Sequence, residues 1–185
     1  MRRDCILGFD IGGTKIAVSV MDTDGRLLAK TRVPSGSQTP YAESLRDMTA
    51  AGERMLEEAG GSELSLTLCG ISAPGPMDIE KGVLQKSPNM AWSDVPVRDD
   101  MREAFGVPAV LNNDANAGIL AEWFFGRGRD CEHLIYLTMS TGIGGGVITH
   151  GRLLEGAAGN AAELGHLVLD TNGPVCGCNL SGCFE

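Results

Sequence analysis

Four short runs in this sequence carry residue types that do chemistry. Asp10-Ile-Gly-Gly-Thr-Lys15 brings a carboxylate, two glycines, a hydroxyl and an ammonium group into six residues. A tight turn with paired glycines presents successive backbone N–H groups, and such concave arrays bind phosphate oxygens without a basic patch. In that reading Gly12 and Gly13 provide donors, Thr14 a hydroxyl, Lys15 a charge, and Asp10 a carboxylate able to hold a metal ion through water. The spacing misses the G-x-x-x-x-G-K pattern, so this is not a P-loop. A plain hairpin in which glycine supplies positive φ is the simpler account of the run by itself. Thr141-Gly142-Ile-Gly144-Gly-Gly146 changes that weighting, because a second glycine hairpin lets two donor arrays face one polyphosphate.

Asn112-Asn113-Asp114-Ala-Asn116 falls where an apolar strand pattern ends and a helical one begins. Ligands collect at the carboxyl ends of strands in α/β proteins. Asp114 is placed there to take the proton from a substrate hydroxyl as it attacks a phosphoryl group, with Asn113 holding a neighbouring hydroxyl. Asp and Asn are equally favoured as helix N-caps, a role that needs no substrate. The residues alone leave both accounts open. His166 stands ten residues ahead of Cys176, Cys178 and Cys183, a C-x-C-x4-C group. One imidazole and three thiolates supply the four ligands of a closed, structural zinc site, whereas a disulfide would leave one thiol over. Such an ion would pin the turn carrying Glu163, His166 and Glu185. Cys5, Cys69 and Cys131 lie singly in apolar runs and read as small core residues.

The elements that must position these groups are legible as periodicity. Residues 5–9, 16–21 and 27–33 read as an antiparallel meander, and apolar positions from Tyr41 to Ala59 follow a helical period that Gly60-Gly61 stops. A buried strand follows over 66–72, then a Pro- and Gly-rich loop over 73–96 and a short helix near 97–105 whose Arg98–Glu103 run reads as a solvated face. A strand at 107–111 leads to a helix over about 115–125 burying Ile119, Leu120, Trp123 and Phe124. Trp92 reads as loop packing or a sugar-stacking ring, and His133 and His150 as solvated singletons. Then the opening pattern returns: strand 134–139, glycine turn, strand 146–149, and Gly151-Arg-Leu-Leu154 matching Gly25-Arg-Leu-Leu28. That order, met twice, predicts two related α/β lobes, each offering a glycine hairpin to a shared cleft.

Composition narrows the partners. The chain has 185 residues, 43% hydrophobic, 21% charged and 5% aromatic, enough for a full core and unlike a disordered or fibrous chain. Net charge is −9, divided as −2 over residues 1–92 and −7 over 93–185. A surface this acidic repels nucleic acid and anionic membranes, which favours a small-molecule partner. No apolar run is long enough to span a bilayer and the N-terminus lacks a signal-peptide pattern, so a cytoplasmic protein with reduced cysteines is expected.

Taken in order, Asp10–Lys15, Ala73-Pro-Gly-Pro76, Pro88-Asn-Met-Ala-Trp92, Asn113-Asp-Ala-Asn116, Thr141–Gly146, Glu163-Leu-Gly-His166 and Cys176-Gly-Cys-Asn-Leu-Ser-Gly-Cys-Phe-Glu185 resemble the motifs of the ROK family (repressors, open reading frames and sugar kinases). They span nearly the whole chain. The resemblance implies an α/β actin-like ATPase (ribonuclease H-like) fold in two lobes, here 1–112 and 113–185, with the second lobe incomplete because family members continue further. It implies Asp114 as catalytic base, and Gly75, Asn89, Asn113, Asp114, Glu163, His166 and Glu185 as sugar contacts. Asp10, Gly12, Gly13, Thr14 and Lys15, with Thr141, Gly142 and Gly144, match the loops facing ATP and Mg²⁺, and His166, Cys176, Cys178 and Cys183 match the zinc set. Ala162 and Asn179 stand where glycines are usual; the first adds a methyl beside the sugar pocket.

The expected activity is therefore ATP-dependent phosphorylation of a hexose, glucose at its 6-hydroxyl first, with N-acetylmannosamine, N-acetylglucosamine, allose and fructose as alternatives. A sugar-responsive regulator is disfavoured by the charge and by the four residues ahead of the first strand. A sugar-binding module without catalysis is the third reading. A homodimer is implied by the family alone.

Overall fold

The computed structural model describes residues 2–86, 90–139, 142–157, 159 and 161–185. They fall into two compact units, Met1–Asn113 and Asp114–Glu185. The first opens with β1 (Arg3–Ile11), β2 (Lys15–Asp22) and β3 (Leu27–Pro34), paired antiparallel in sequence. Helix α1 (Tyr41–Ala59) crosses to β4 (Leu64–Ala73), which runs parallel to β1. After two short strands, β5 (Met77–Asp78) and β6 (Val83–Leu84), helix α2 (Val97–Phe105) leads to β7 (Ala109–Asn113), parallel to β4. The sheet order is β3-β2-β1-β4-β7.

Alternation builds this core. Successive strand side chains point to opposite faces, so Cys5, Leu7, Phe9 and Ile11 of β1 and Ile16, Val18 and Val20 of β2 share one buried face. Met48, Ala51 and Met55 of α1 and Val97 and Met101 of α2 close over it at helical spacing. Cys5 and Cys69 are buried here as small apolar side chains, and burial pushes the Cys69 thiol up to about 12.

The segment over 73–96 is more ordered than its composition suggests. Two-residue strands have no period to read, and β5 and β6 are held by contacts from elsewhere. Val95 bridges Leu84, and the Arg98 guanidinium donates to the carbonyls of Glu80 (2.9 Å), Lys81 (2.9 Å) and Ile79 (3.4 Å). Arg98 is thus a strap and not part of a merely solvated face. Its neighbour Asp100 accepts the Tyr41 hydroxyl at 2.7 Å, and burial together with that bond raises the phenol above its ordinary value. Trp92 is 2% exposed, meets the Tyr41 ring edge-on and donates its indole N–H to the Thr39 carbonyl. It packs the loop.

The second unit repeats the opening order. β8 (Leu134–Met139), β9 (Ile143–Thr149) and β10 (Arg152–Leu153) form an antiparallel sheet under α3 (Asp114–Phe124). Gly25 and Gly151, which begin the two Gly-Arg-Leu-Leu copies, both have positive φ, +82° and +65°. His150 (+49°) joins Gly151 in the left-handed region, as a type I′ hairpin requires. The His150 N–H donates to Nδ1 of His133 and the two rings meet edge-on, so these exposed histidines form a pair and are not singletons. Phe124 departs from expectation: it is 57% exposed, whereas Ala115, Asn116 and Ile119 are buried. Five residues beyond Ile119, it lies about 140° round the helix. Among the described residues no helix is long and apolar enough to cross a membrane.

One ion pair ties the start of β1 to the end of β2. Arg3 donates to the Asp22 carboxylate, which also accepts the Arg26 and Asp24 N–H groups at the turn. The Arg3 bond above all holds the Asp22 carboxyl below the usual carboxylate range. A depressed pKa stabilises the fold at neutral pH, and that contribution is lost as pH falls through the folded value. Thermal melts of Asp22→Asn should therefore lie below the native protein at pH 7, with the gap closing as the pH is taken below about 4. An unchanged gap at low pH would exclude this linkage.

Candidate functional site

In the first unit the parallel strands decide which residues meet. Their register places Asp10 of β1 beside Ser72 of β4, and Ser72 beside Asn112 of β7, with Ala73 beside Asn113 one position further. The Ser72 hydroxyl donates to Asp10 Oδ1 at 3.2 Å. The carboxyl ends of three adjacent strands thus carry an exposed carboxylate, a hydroxyl and two amides. Gly75 lies just beyond, exposed, in the turn leaving β4, and an added Cβ there would meet nothing within 4 Å. Asn89 lies outside the described residues.

Gly12 to Lys15 form the hairpin between β1 and β2, closed by Ile11 opposite Ile16 and by the Gly12 N–H donating to the Lys15 carbonyl at 2.9 Å. Neither Gly12 nor Gly13 has positive φ, so left-handed backbone is not what glycine supplies here. A Cβ on Gly12 would come within 3.0 Å of the Lys15 carbonyl, whereas one on Gly13 would meet nothing. The loop therefore presents bare backbone on its open side, flanked by the exposed Thr14 and Lys15 side chains. That suits close approach of an anion.

In the second unit α3 begins at Asp114, directly after Asn113, and Asp114 Oδ1 accepts the Ala115 N–H at 2.9 Å. An exposed carboxylate at a helix N-terminus is favoured by the peptide dipoles, whatever else this residue does. Of the second glycine run, Thr141 lies outside the described residues. Gly144 stands within β9 opposite Thr138. Gly145 and Gly146 serve close packing: a Cβ on them would fall 2.4 Å from the Ala162 carbonyl and 2.8 Å from that of Ala115. Gly142 remains in the loop. Next to it, the Ile143 N–H donates to Glu185 Oε2 at 3.1 Å, so a residue read as a sugar contact sits on the second hairpin.

Glu185 is aimed there by backbone. Its N–H donates to the Gly165 carbonyl, and that of Phe184 to the Leu167 carbonyl. Gly165 packs so tightly under Ile143 that a Cβ would lie 2.1 Å from its carbonyl oxygen. Glu163 is exposed, and its carbonyl accepts the His166 N–H across the 3-10 turn Leu164–His166. The ligand atoms of His166, Cys176, Cys178 and Cys183 all lie within 4.8 Å of one another. His166 Nδ1 is 3.6 Å from Cys176 Sγ, and Cys178 Sγ is 3.6 Å from Cys183 Sγ. Donors bound tetrahedrally to zinc, at about 2.3 Å for sulfur, would be about 3.8 Å apart, so the set fits the ion. Lost hydration and the neighbouring sulfurs push the Cys183 thiol up to about 12, while the Leu180 N–H draws Cys178 down.

Three comparisons bear on this arrangement. The family model described as "ROK family" matches residues 6–185. The chain belongs to the ROK family. A glucokinase of Thermotoga maritima is 41% identical to it over 97% of this chain and 56% of its own length. A xylose repressor of Bacillus subtilis is 32% identical over 97% and 46%. Among solved structures, a ROK hexokinase from Thermus thermophilus aligns with TM-score 0.83 at 43% identity, covering 97% of this chain and 58% of that one. A ROK family glucokinase from Streptomyces griseus, in complex with glucose and AMPPNP, gives 0.81 at 35%, covering 98% and 56%. The fold is thus the α/β, actin-like fold of ROK sugar kinases. The chain spans about half the length of the curated relatives it matches.

Ser72 carries no signal in the sequence, because its place beside Asp10 depends on parallel register. The two departures from glycine, the Ala162 methyl and the Asn179 turn residue, share a backbone feature. Both have positive φ, +64° and +70°. Glycine takes that conformation freely and asparagine tolerates it, but alanine is strained there by about 1 kcal/mol. Ala162→Gly should therefore raise stability by about 0.5 to 1 kcal/mol in urea titration. A loss of stability would show that the Ala162 methyl makes contacts worth more than the strain.

Proposed function

We propose that this chain carries the sugar site, catalytic base and phosphate hairpins of an ATP-dependent hexose kinase, with glucose as the first candidate substrate. The observation that carries the reading is the passage of β7 straight into α3 at Asn113–Asp114, which leaves an exposed carboxylate one residue beyond the ends of the parallel strands. The relatives named glucokinase, and the glucokinase structure with glucose and AMPPNP, support it.

In this mechanism Asn113, Glu163, His166 and Glu185, with Gly75 and Asn89, orient the sugar. Asp114 accepts the proton of the 6-hydroxyl while its oxygen bonds to the γ-phosphorus and the bond from that phosphorus to the β-phosphate bridging oxygen breaks. Gly12 to Lys15 and Gly142 to Gly144, with Thr141, hold the phosphates through backbone N–H groups, the Thr hydroxyls and the Lys15 charge. Mg²⁺, when bound, neutralises charge on the phosphates, and Asp10 is the residue to hold it through water. Positioning and electrostatics are the main sources of rate in such transfers.

Asp114→Asn keeps size and an acceptor for the Ala115 N–H but cannot take the proton. It should bind glucose with native affinity by calorimetry while turnover in a coupled ADP assay falls by a factor on the order of 10²–10⁴. Native turnover in this variant would sink the mechanism. The same assay over the N-acetylated hexosamines, allose and fructose chooses the sugar.

We also infer that His166, Cys176, Cys178 and Cys183 hold a structural zinc. Nδ1 of His166 is on the cysteine side, so in this reading Nε2, the other ring nitrogen, is the one left for a sugar hydroxyl. Protein purified without added metal should contain about one zinc per chain, and chelation should speed hydrogen exchange over residues 155–185. Metal-free protein with the same exchange pattern would rule the ion out.

A sugar-responsive regulator is the second reading, favoured by the xylose repressors among the relatives. Sequence-specific DNA retention in a gel shift at physiological salt, released by sugar, would establish it.

A further inference from the structure

Between β3 and α1 the segment over 35–39 carries two serines with no part in the site described above. Ser35 is 2% exposed and Ser37 8%, and their hydroxyls converge on one acceptor, the Gly13 carbonyl, at 2.9 and 2.6 Å. The Ser35 N–H donates to the carbonyl of Thr14 at 3.1 Å, and the Ser37 N–H to the Ser35 hydroxyl at 3.2 Å. The segment is itself anchored. The Gly36 carbonyl accepts the Thr39 N–H, the Thr39 hydroxyl and the hydroxyl of Ser44, a buried residue of α1. On its other side the Ser37 carbonyl accepts the Ala91 N–H at 2.6 Å, two residues beyond Asn89, and the Thr39 carbonyl accepts the Trp92 indole.

A trans peptide is planar, so its C=O and N–H point in opposite directions. Two buried hydroxyls holding the Gly13 carbonyl inward therefore hold the Thr14 N–H outward, on the side away from the serines. Buried hydroxyls need such partners, because leaving one unpaired costs more than the bond contributes. The arrangement is thus self-locking: the serines cannot release the carbonyl cheaply, and the peptide cannot flip.

We propose that the Ser35-Gly36-Ser37 turn is a positioning strut that sets the Thr14 N–H for a phosphate oxygen and joins the phosphate hairpin to the 90–92 end of the sugar loop. This rests on the kinase reading above. Neither serine touches a substrate; each acts through the Gly13–Thr14 peptide. Because the same segment receives the Ala91 N–H and the Trp92 indole, a shift at 91–92 is transmitted to the hairpin through these hydrogen bonds, so sugar and nucleotide affinities are coupled, equally in both directions.

The test is calorimetry of Mg·AMPPNP and of glucose on the native chain, Ser35→Ala, Ser37→Ala and the double variant, each checked for a native circular-dichroism spectrum. The double variant should bind Mg·AMPPNP about tenfold more weakly, as loss of two neutral hydrogen bonds would give, with glucose affinity alone within about twofold of native. The factor by which saturating glucose tightens nucleotide binding should fall toward one. Ser37→Thr, which keeps the hydroxyl, should recover most of the loss, as a merely structural defect would not. If the double variant does not fold, the single variants carry the same comparison. Native nucleotide affinity in folded variants, or equal losses for glucose and nucleotide, would overturn the strut. Native chain that binds neither ligand would instead defeat the kinase reading itself.

Discussion

The register of three parallel strands is the constraint on which the rest of the first unit depends. β1, β4 and β7 must align so that the buried faces of all three meet α1 and α2. Once they do, Asp10, Ser72 and Asn112 stand in a row at their carboxyl ends. A one-residue slip would send every core side chain to the opposite face. The core therefore protects the site's geometry: Asp10 cannot change neighbours without exposing Leu7 and Phe9. The glycine hairpin inherits this rigidity, since it begins one residue after Ile11 and is closed by Ile16, both buried.

The second unit reaches a comparable result by close backbone contact. Its sheet is small and the segment beyond β10 has little regular structure, with two isolated bridges and a 3-10 turn among the described residues. What aligns Glu185 with the Ile143 N–H is the near contact of Gly165 with Ile143 and of Gly145 with the turn at Ala162. Side chains would separate these layers. The His-Cys cluster lies within this segment, where four ligands drawn to one ion would supply cross-links that an apolar core supplies elsewhere. Ala162 and Asn179 each occupy a left-handed conformation that glycine would occupy without strain.

The long, periodic elements were legible because their residues obey one rule over many positions. α1 spans Tyr41–Ala59 as its spacing predicts, and the internal repeat reappears with matching left-handed glycines at 25 and 151. β5 and β6 were not, since two residues define no period and what holds them is the bridge from Val95 to Leu84 and the bonds from Arg98 to the turn between them. Phe124 misled because an apolar residue near a helix end need not share the face set by Ile119. The strut serines were silent for another reason: Ser-Gly-Ser in a loop has the composition of any turn, and only the convergence of both hydroxyls on Gly13 distinguishes it.

By itself the sequence determined the chemical inventory: which carboxylates, amides, glycines and thiols exist, in what order, and on which kind of element each falls. Spacing along one chain suffices for that, because periodicity and turn chemistry are local. Only the tertiary structure decided which of them meet. Asp10 with Ser72 and Glu185 with the Ile143 N–H are pairings across the chain. They follow from strand register and close packing, which are set by the burial of the whole core and leave no mark on the residues that they bring together.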